Sequence, residues 1–322
     1  MTPPADGPRK VLLTDHPWDG VDIESEICLE AGYELVEAPR GADLAQLVDL
    51  GADVEGIITC WARVPGELIR SSPHLQVVSR LGVGVDNIDL DAAAECGVTV
   101  TRVPDYCVEE VSDHVLALVY AWARGVTYFD RAVRSGRWEP GALALRRVRD
   151  LVVGVWGTGL IGTRTADKFS ALGCTVVVDD RHPERAGPYP AVTRDELLER
   201  SDVVTLHLPL TEENRGIVGA EVLSKMRPGS LLVNTSRGGI VDSDALAAAL
   251  DAGHLGAAAL DVLPNEPQVP TALADRDDVV ITPHVAFSSI QSVQELRARA
   301  TEDLVRVLRG EPAEHPYPPA VR

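Results

Sequence analysis

Nowhere in the 322 residues is there an apolar run of about 18, so the sequence offers no helix to span a bilayer. The N-terminal MTPPADGPRK lacks the apolar centre of a signal peptide, and a cytoplasmic protein is expected. Positive charge is scarce: 30 Lys and Arg against 49 Asp and Glu give a formal net charge of −19. Such a surface repels nucleic acid and anionic membrane, so neither is expected as a partner. Cysteine is sparse and scattered. Cys28, Cys60, Cys96, Cys107 and Cys174 contain no C-x-x-C and are odd in number, which argues against a disulfide frame or a zinc site, and no metal is expected. No internal repeat is visible beyond two similar halves. An apolar share of 45% over this length is enough for two cores.

In the first half, strands are expected at 10–14, 34–36, 56–59, 76–79 and 99–101, with helices at 23–30, 42–50, 65–71 and 90–96. That alternation predicts a parallel sheet covered on both faces. Its first turn, Asp15-His16-Pro17, carries no phosphate loop. The stretch from Arg80 to Asp86 runs out of a strand into Gly82-Val83-Gly84. The Val83 and Gly84 amides either hold a carboxylate or belong to a turn that simply needs flexible residues. Residues 103–106 read as a crossing between domains. A long helix over 108–124 follows, apolar at Val111, Val115, Leu118, Val119 and Trp122, and then a basic segment, 124–149. This helix and arm carry more apolar surface than one small domain needs. A homodimer contact explains the excess; packing inside the chain is the alternative.

Residues 152–180 are the centre of the chain. An apolar strand, 152–156, enters the turn Gly157-Thr158-Gly159-Leu160-Ile161-Gly162; a helix follows to 172, then a second strand, 175–178, that stops at Asp179-Asp180. This is a βαβ unit with G-x-G-x-x-G in the position that binds a dinucleotide. Gly157 permits the sharp turn, Gly159 lets backbone approach a pyrophosphate, and Gly162 lets helix and strand pack closely. The helix N-terminus offers unpaired N–H groups to the phosphates. Asp180, 18 residues beyond Gly162, stands where a carboxylate can accept both adenosine ribose hydroxyls and repel a 2′-phosphate. NAD is therefore preferred to NADP, although Arg181 and His182 follow directly.

Further strands at 202–206, 230–234, 257–260 and 279–282 end at His207-Leu208-Pro209, at Thr235-Ser236-Arg237, at Asp261 and at Pro283-His284. In an open parallel sheet, ligands bind beyond the carboxyl ends of the strands. Arg237 can clamp a carboxylate and polarise a carbonyl. His284 can give a proton to oxygen as hydride reaches carbon, and Glu266 can favour its charged form. Alone, each has a second reading: a surface ion pair, a loop charge, a capped strand end. The last helix, 290–309, is expected to return to the first domain, followed by the proline-rich tail GEPAEHPYPP.

In their order, Arg80–Asp89, the glycine turn, Asp180, Asn234–Asp242, Ala259–Pro267 and Thr282–Ala286 resemble the D-2-hydroxyacid dehydrogenase family, over about residues 10–312. The likeness is nearest to its phosphoglycerate-dehydrogenase-like and C-terminal-binding-protein-like branch. The resemblance implies an α/β fold of two doubly wound parallel-sheet domains with a cleft between them. One is a Rossmann-type NAD-binding domain, residues 104–287. The other is a smaller flavodoxin-like substrate domain, residues 1–103, completed by a C-terminal helix in 288–322. It implies NAD(H) as cofactor and hydride transfer to a small 2-keto acid or from a D-2-hydroxy acid. Arg237, Glu266 and His284 take the catalytic roles. Gly157, Gly159, Leu160, Ile161, Gly162, Asp180, Pro209, Thr235 and Asp261 take the cofactor, with Asp261 facing the nicotinamide amide. Val83 and Gly84 become a carboxylate cradle, and a homodimer would form through the nucleotide-binding domain.

The departures are informative. Many members have a tryptophan soon after the histidine, where Ala286-Phe287 stands here. Formate dehydrogenases have glutamine at the place of Glu266, so that activity is disfavoured. The sequence continues only 38 residues past His284 (322 − 284), so the regulatory tail of long phosphoglycerate dehydrogenases is not expected. Cys60-Trp61-Ala62 occupies the loop where phosphoglycerate dehydrogenases carry a phosphate-binding arginine, and Trp61 suggests an apolar wall joined by Tyr106 and Phe287. Arg80 or Arg63 could instead meet a second anionic group. The competing function is an NAD(H)-sensing dimeric scaffold of the C-terminal-binding type, which keeps the same three residues.

Overall fold

The structure is a computed structural model and describes residues 9–317. Residues 1–8 and 318–322, with most of the N-terminal stretch and the end of the proline-rich tail, lie outside the described residues. The chain divides into two compact units, one of Met1–Tyr106 with Ser289–Arg322 and one of Cys107–Ser288. The sequence reading placed these joints at 103/104 and 287/288.

The first unit contains β1 (Arg9–Leu13), β2 (Tyr33–Glu37), β3 (Val54–Thr59), β4 (Val77–Arg80) and β5 (Thr99–Arg102). All pair in parallel, in the order β2-β1-β3-β4-β5. The apolar runs of the three inner strands, β1, β3 and β4, suit a sheet buried on both faces, and Val11, Leu12, Ile57, Ile58, Val77 and Val78 have no solvent exposure. Local chemistry sets the helix ends. Asp43 and Gln46 form a reciprocal capping box at Leu44–Gly51. Asp89 caps Leu90–Cys96, which Gly97 ends in the left-handed conformation. The C-terminal helix Ile290–Leu308 belongs to this unit. Ser79 Oγ donates to the Ala300 carbonyl at 2.8 Å, and Arg297 meets the wholly buried Glu24 at 2.6 and 2.9 Å.

The second unit contains β6 (Val152–Trp156), β7 (Thr175–Asp179), β8 (Val203–Leu206), β9 (Leu231–Asn234), β10 (Ala257–Leu260) and β11 (Val279–Ile281). The order is β11-β10-β9-β8-β6-β7, again all parallel. The direction of winding reverses between β6 and β8, the switch point where such sheets bind ligands. One face is covered by the helices Val108–Arg124 and Leu160–Ala171, through Val115, Val119 and Phe169. The other carries Leu197, Leu223, Leu246 and Leu250. Segment 124–149, read as an arm, contains a second helix, Val126–Arg134. Gly125, at φ +63°, ends the long helix and starts this one, turning the chain where a side chain would be strained.

All five cysteines are free thiols, and burial pushes Cys28 and Cys60 up to about 12. Among the described residues no helix is long and apolar enough to cross a membrane. Nor, among them, does any group of three His, Cys, Asp or Glu have the arrangement of a metal site.

Candidate active site

The glycine turn follows β6 at the switch point. Gly157 has φ +103°, and a Cβ there would strike the His207 carbonyl. A Cβ on Gly162 would strike the Gly157 carbonyl. Gly157 is therefore fixed by its backbone conformation and by the chain leaving β8, and Gly162 by the turn itself. Gly159 differs: open space lies where its Cβ would be. It is the N-cap of Leu160–Ala171, has no capping side chain, and leaves the Leu160 and Ile161 amides without acceptors among the described residues. Thr158, Gly159, Leu160, Arg164 and Arg185 line a groove at this helix end. Room, free amides and a positive helix end fit a pyrophosphate.

Asp180, just beyond β7, turns back onto this loop. Its Oδ2 accepts from the Thr158 amide at 2.5 Å and the Thr158 hydroxyl at 2.8 Å, and its Oδ1 from the His182 amide at 2.8 Å. Burial alone would raise this carboxyl. The Thr158 and His182 amides, the Thr158 hydroxyl and the Arg185 charge outweigh burial and hold it below the usual carboxylate range. With three of about four acceptor sites used, one remains for a ribose hydroxyl rather than the two expected from sequence. Pro209 is exposed after β8. The Thr235 hydroxyl, after β9, is buried with no hydrogen-bond partner among the described residues. An orphaned hydroxyl at a strand end suits a bound polar ligand.

Arg237, Glu266 and His284 are brought together at the ends of β9, β10 and β11. Asn234 Nδ2 donates to the Arg237 carbonyl at 3.0 Å, and Arg237 Nη1 donates to the Ser236 carbonyl at 2.8 Å. A Cβ on Gly238 would strike the Leu263 carbonyl, so the Arg237 loop packs directly on the loop that carries Glu266. Glu266 Oε1 accepts from the Leu263 amide at 2.9 Å, and Oε2 accepts from His284 Nδ1 at 2.8 Å. Burial raises Glu266, but the hydrogen bond and charge of His284, the Leu263 amide and the Arg237 charge hold it below the usual range. The carboxylate is thus an acceptor only, which puts a proton on His284 Nδ1. The Phe287 ring stands edge-on to the imidazole, centroids 6.3 Å apart.

His284 has φ +54°, the only positive value among the described non-glycine residues. That conformation is strained for a side-chain-bearing residue and needs support. Asp261 supplies it. The Asp261 carbonyl accepts from the His284 amide at 2.8 Å; Oδ1 takes the Val285 amide and Oδ2 the Ala286 amide, each at 2.9 Å. Oδ1 also accepts from Thr282 Oγ1 at 2.6 Å. The resemblance gave Asp261 to the nicotinamide amide. In the structure it is 1% exposed and its carboxylate gathers the 282–286 loop. His114, on Val108–Arg124, joins this group and was not singled out from sequence. A lone histidine directly after Ser112-Asp113, at the start of the helix's apolar stretch, was its only signal.

Val83, Gly84, Arg80 and Trp61 lie in the first unit. Gly82 (φ +153°) begins the turn after β4, and among the described residues the Val83 and Gly84 amides have no acceptor. Arg80 is buried along its own strand end, its guanidinium on the Leu81 carbonyl. Trp61 is exposed after β3. Asp15, which the sequence reading noted only for lacking a phosphate loop, accepts from the Cys60 amide at 3.0 Å and the Trp61 amide at 2.7 Å. It shapes the Trp61 loop.

Residues 116–286 match the family model described as D-isomer specific 2-hydroxyacid dehydrogenase, NAD binding domain. The D-3-phosphoglycerate dehydrogenase of Archaeoglobus fulgidus is 36% identical over 284 residues, 86% of this chain and 54% of that protein. The chain thus spans about half the length of that relative. The glyoxylate reductase of Thermofilum pendens is 34% identical over 325 residues, covering 98% of this chain and 94% of its own length. Among solved structures, the TT0316 protein from Thermus thermophilus superposes with a TM-score of 0.88 at 34% identity, covering 96% of this chain and 100% of its own.

Proposed function

The chain belongs to the D-isomer specific 2-hydroxyacid dehydrogenase family, and on that premise we propose that it is an NAD-dependent oxidoreductase of small D-2-hydroxy acids and 2-keto acids. The observation that carries the reading is the 2.8 Å His284–Glu266 pair beside Arg237, on the same strand ends as an open glycine turn. When bound, NADH supplies a hydride to the carbonyl carbon. Gly159, Leu160 and Ile161 would hold its pyrophosphate, Asp180 one ribose hydroxyl, and Thr235 and Pro209 the adjoining edge. Gly157 and Gly162 keep the turn in shape. Asp261 acts through the loop it gathers.

Arg237 clamps the substrate carboxylate and draws electron density from the carbonyl. His284, fixed through Nδ1, delivers the Nε2 proton to the oxygen as it gains charge. Glu266 stays ionised and stabilises the imidazolium before transfer. In the reverse direction the same nitrogen takes the hydroxyl proton. Val83 and Gly84 are the proposed carboxylate cradle, and Trp61 and Arg80 the proposed side-chain contacts.

We favour an uncharged substrate side chain. The exposed Trp61 indole and the burial of Arg80 against its own strand end support that choice. NADH oxidation with glyoxylate, larger apolar 2-keto acids and a phosphorylated 2-keto acid tests it. The phosphorylated compound should have the lowest kcat/KM. A kcat/KM for it well above the others, lost in Arg80→Ala, would overturn the assignment. Tight NADH binding without turnover of any compound would favour the scaffold function instead.

A cytoplasmic location is proposed from the free cysteines and the acidic composition. A homodimer through the nucleotide-binding unit is proposed from apolar residues left uncovered at Val126, Val133, Trp138, Leu143 and Leu145. Sedimentation as a monomer at micromolar concentration would rule it out.

A further inference from the structure

The support under His284 continues past Asp261. Thr282 Oγ1 has one proton, which it gives to Asp261 Oδ1 at 2.6 Å. The same oxygen lies 3.1 Å from His114 Nε2. With its proton spent, Thr282 Oγ1 can only accept there, so His114 Nε2 is the donor. His114 Nε2 is also 3.7 Å from Asp261 Oδ1. A directed chain therefore runs from His114 through Thr282 to the Asp261 carboxylate, whose oxygens hold the Val285 and Ala286 amides. Those are the two residues after His284, whose own amide binds the Asp261 carbonyl. Every link lies in the second unit. The chain ends on the one described non-glycine residue with a positive φ.

We propose that His114 is a positioning residue for His284, acting through Thr282 and Asp261 to fix the backbone that aims the imidazole. The inference rests on the reading of His284 as the proton donor. Its physical content is narrower than packing. Asp261 is almost fully buried, and a buried carboxylate keeps one orientation only while its acceptor sites are filled. Thr282 fixes the Oδ1 side and His114 fixes the Thr282 rotamer. If His114 ceases to donate, the hydroxyl can rotate, the carboxylate can turn, and the Val285 and Ala286 amides lose a fixed acceptor. The strained φ at His284 then relaxes. Misplacement of a reacting group by about 1 Å can cost on the order of a hundredfold in rate.

The test compares His114→Leu with His114→Gln, and Thr282→Val with Thr282→Ser. Glutamine places an N–H near the position of Nε2, and serine keeps the hydroxyl. Two readouts are taken in each variant: kcat and KM for NADH-dependent keto-acid reduction, and amide hydrogen exchange at Val285 and Ala286. His114→Leu and Thr282→Val should lower kcat by roughly tenfold to a hundredfold, with KM for NADH little changed. Exchange at both amides should quicken. His114→Gln and Thr282→Ser should recover most of both properties. Unchanged exchange in His114→Leu overturns the proposal, as does an equal loss in His114→Gln and His114→Leu, which would mark a packing role. Thr282→Val, nearly equal in shape, answers the question if the histidine variant fails to fold. The exchange readout does not need turnover. If the wild type reduces no 2-keto acid while exchange still follows the leucine–glutamine pattern, the proposed function fails and the positioning role stands.

Discussion

His284 is placed by three neighbours that treat it differently. Glu266 fixes its ring through Nδ1, Asp261 fixes its backbone, and Phe287 covers its edge. The charge on Glu266 matters most for pH dependence. Held below the usual carboxylate range, it remains an anion at neutral pH, and a carboxylate beside an imidazole stabilises a positive charge on it. Glu266→Gln removes that bias. Keto-acid reduction needs the protonated ring, so its alkaline limb should move to lower pH while activity at low pH persists. A kcat–pH profile identical to wild type would remove Glu266 from that role. Asp180 is held ionised in the same way, by donors from Thr158 and His182. It should disfavour a 2′-phosphate by about tenfold or more, at least ~1.4 kcal/mol. Asp180→Ala should narrow the gap between NADH and NADPH in kcat/KM, chiefly by weakening NADH. Equal use of both by the wild type would mean that a basic neighbour such as Arg185 governs the pocket. At this scale the residue types were legible, because Arg237, Asp261 and His284 each close an apolar run. Their loop geometry was not. Nothing in the sequence around His284 announces a φ of +54°, and the carboxylate that enforces it lies 23 residues away (284 − 261).

Among the elements, the glycine turn was the most legible. Gly157 is required by its positive φ and the His207 carbonyl after β8, Gly162 by the Gly157 carbonyl, and Gly159 leaves open space at the helix end. Strands were legible too, since runs buried on both faces need no partner pattern to be seen. The helix Val126–Arg134 was missed for a physical reason. Gly125 reads as a helix stop, and Val126 and Val133 after it are about half exposed, so they give no buried pattern. The C-terminal helix illustrates a different limit. Its periodicity shows a buried face but not the sheet it meets, and the Arg297–Glu24 pair is what ties it to the helix Asp22–Glu30. Glu24 is wholly buried and Arg297 nearly so, so Arg297→Ala should strand the carboxylate and cost roughly 3–5 kcal/mol. Urea unfolding measures it. A loss under about 1 kcal/mol would show that the pair is solvated or replaced, as exposed pairs are.

The whole molecule is two parallel-sheet units, and the first is completed by residues from both ends of the chain. Sequence periodicity supplied the sheets; the return of the last helix was expected from its place in the chain and implied again by the family resemblance, because strand and helix patterns do not themselves encode which unit a distant segment joins. The central claim is that this fold carries NADH-dependent reduction of a 2-keto acid with His284 as proton donor. Steady-state NADH oxidation with glyoxylate and apolar 2-keto acids, by wild type and His284→Ala, measured beside NADH binding by fluorescence, tests it most directly. The wild type should turn over, and His284→Ala should lose about two to four decades in kcat while NADH affinity stays within about threefold. Equal rates in the two proteins, or a wild type that binds NADH and reduces none of these acids, would contradict the account.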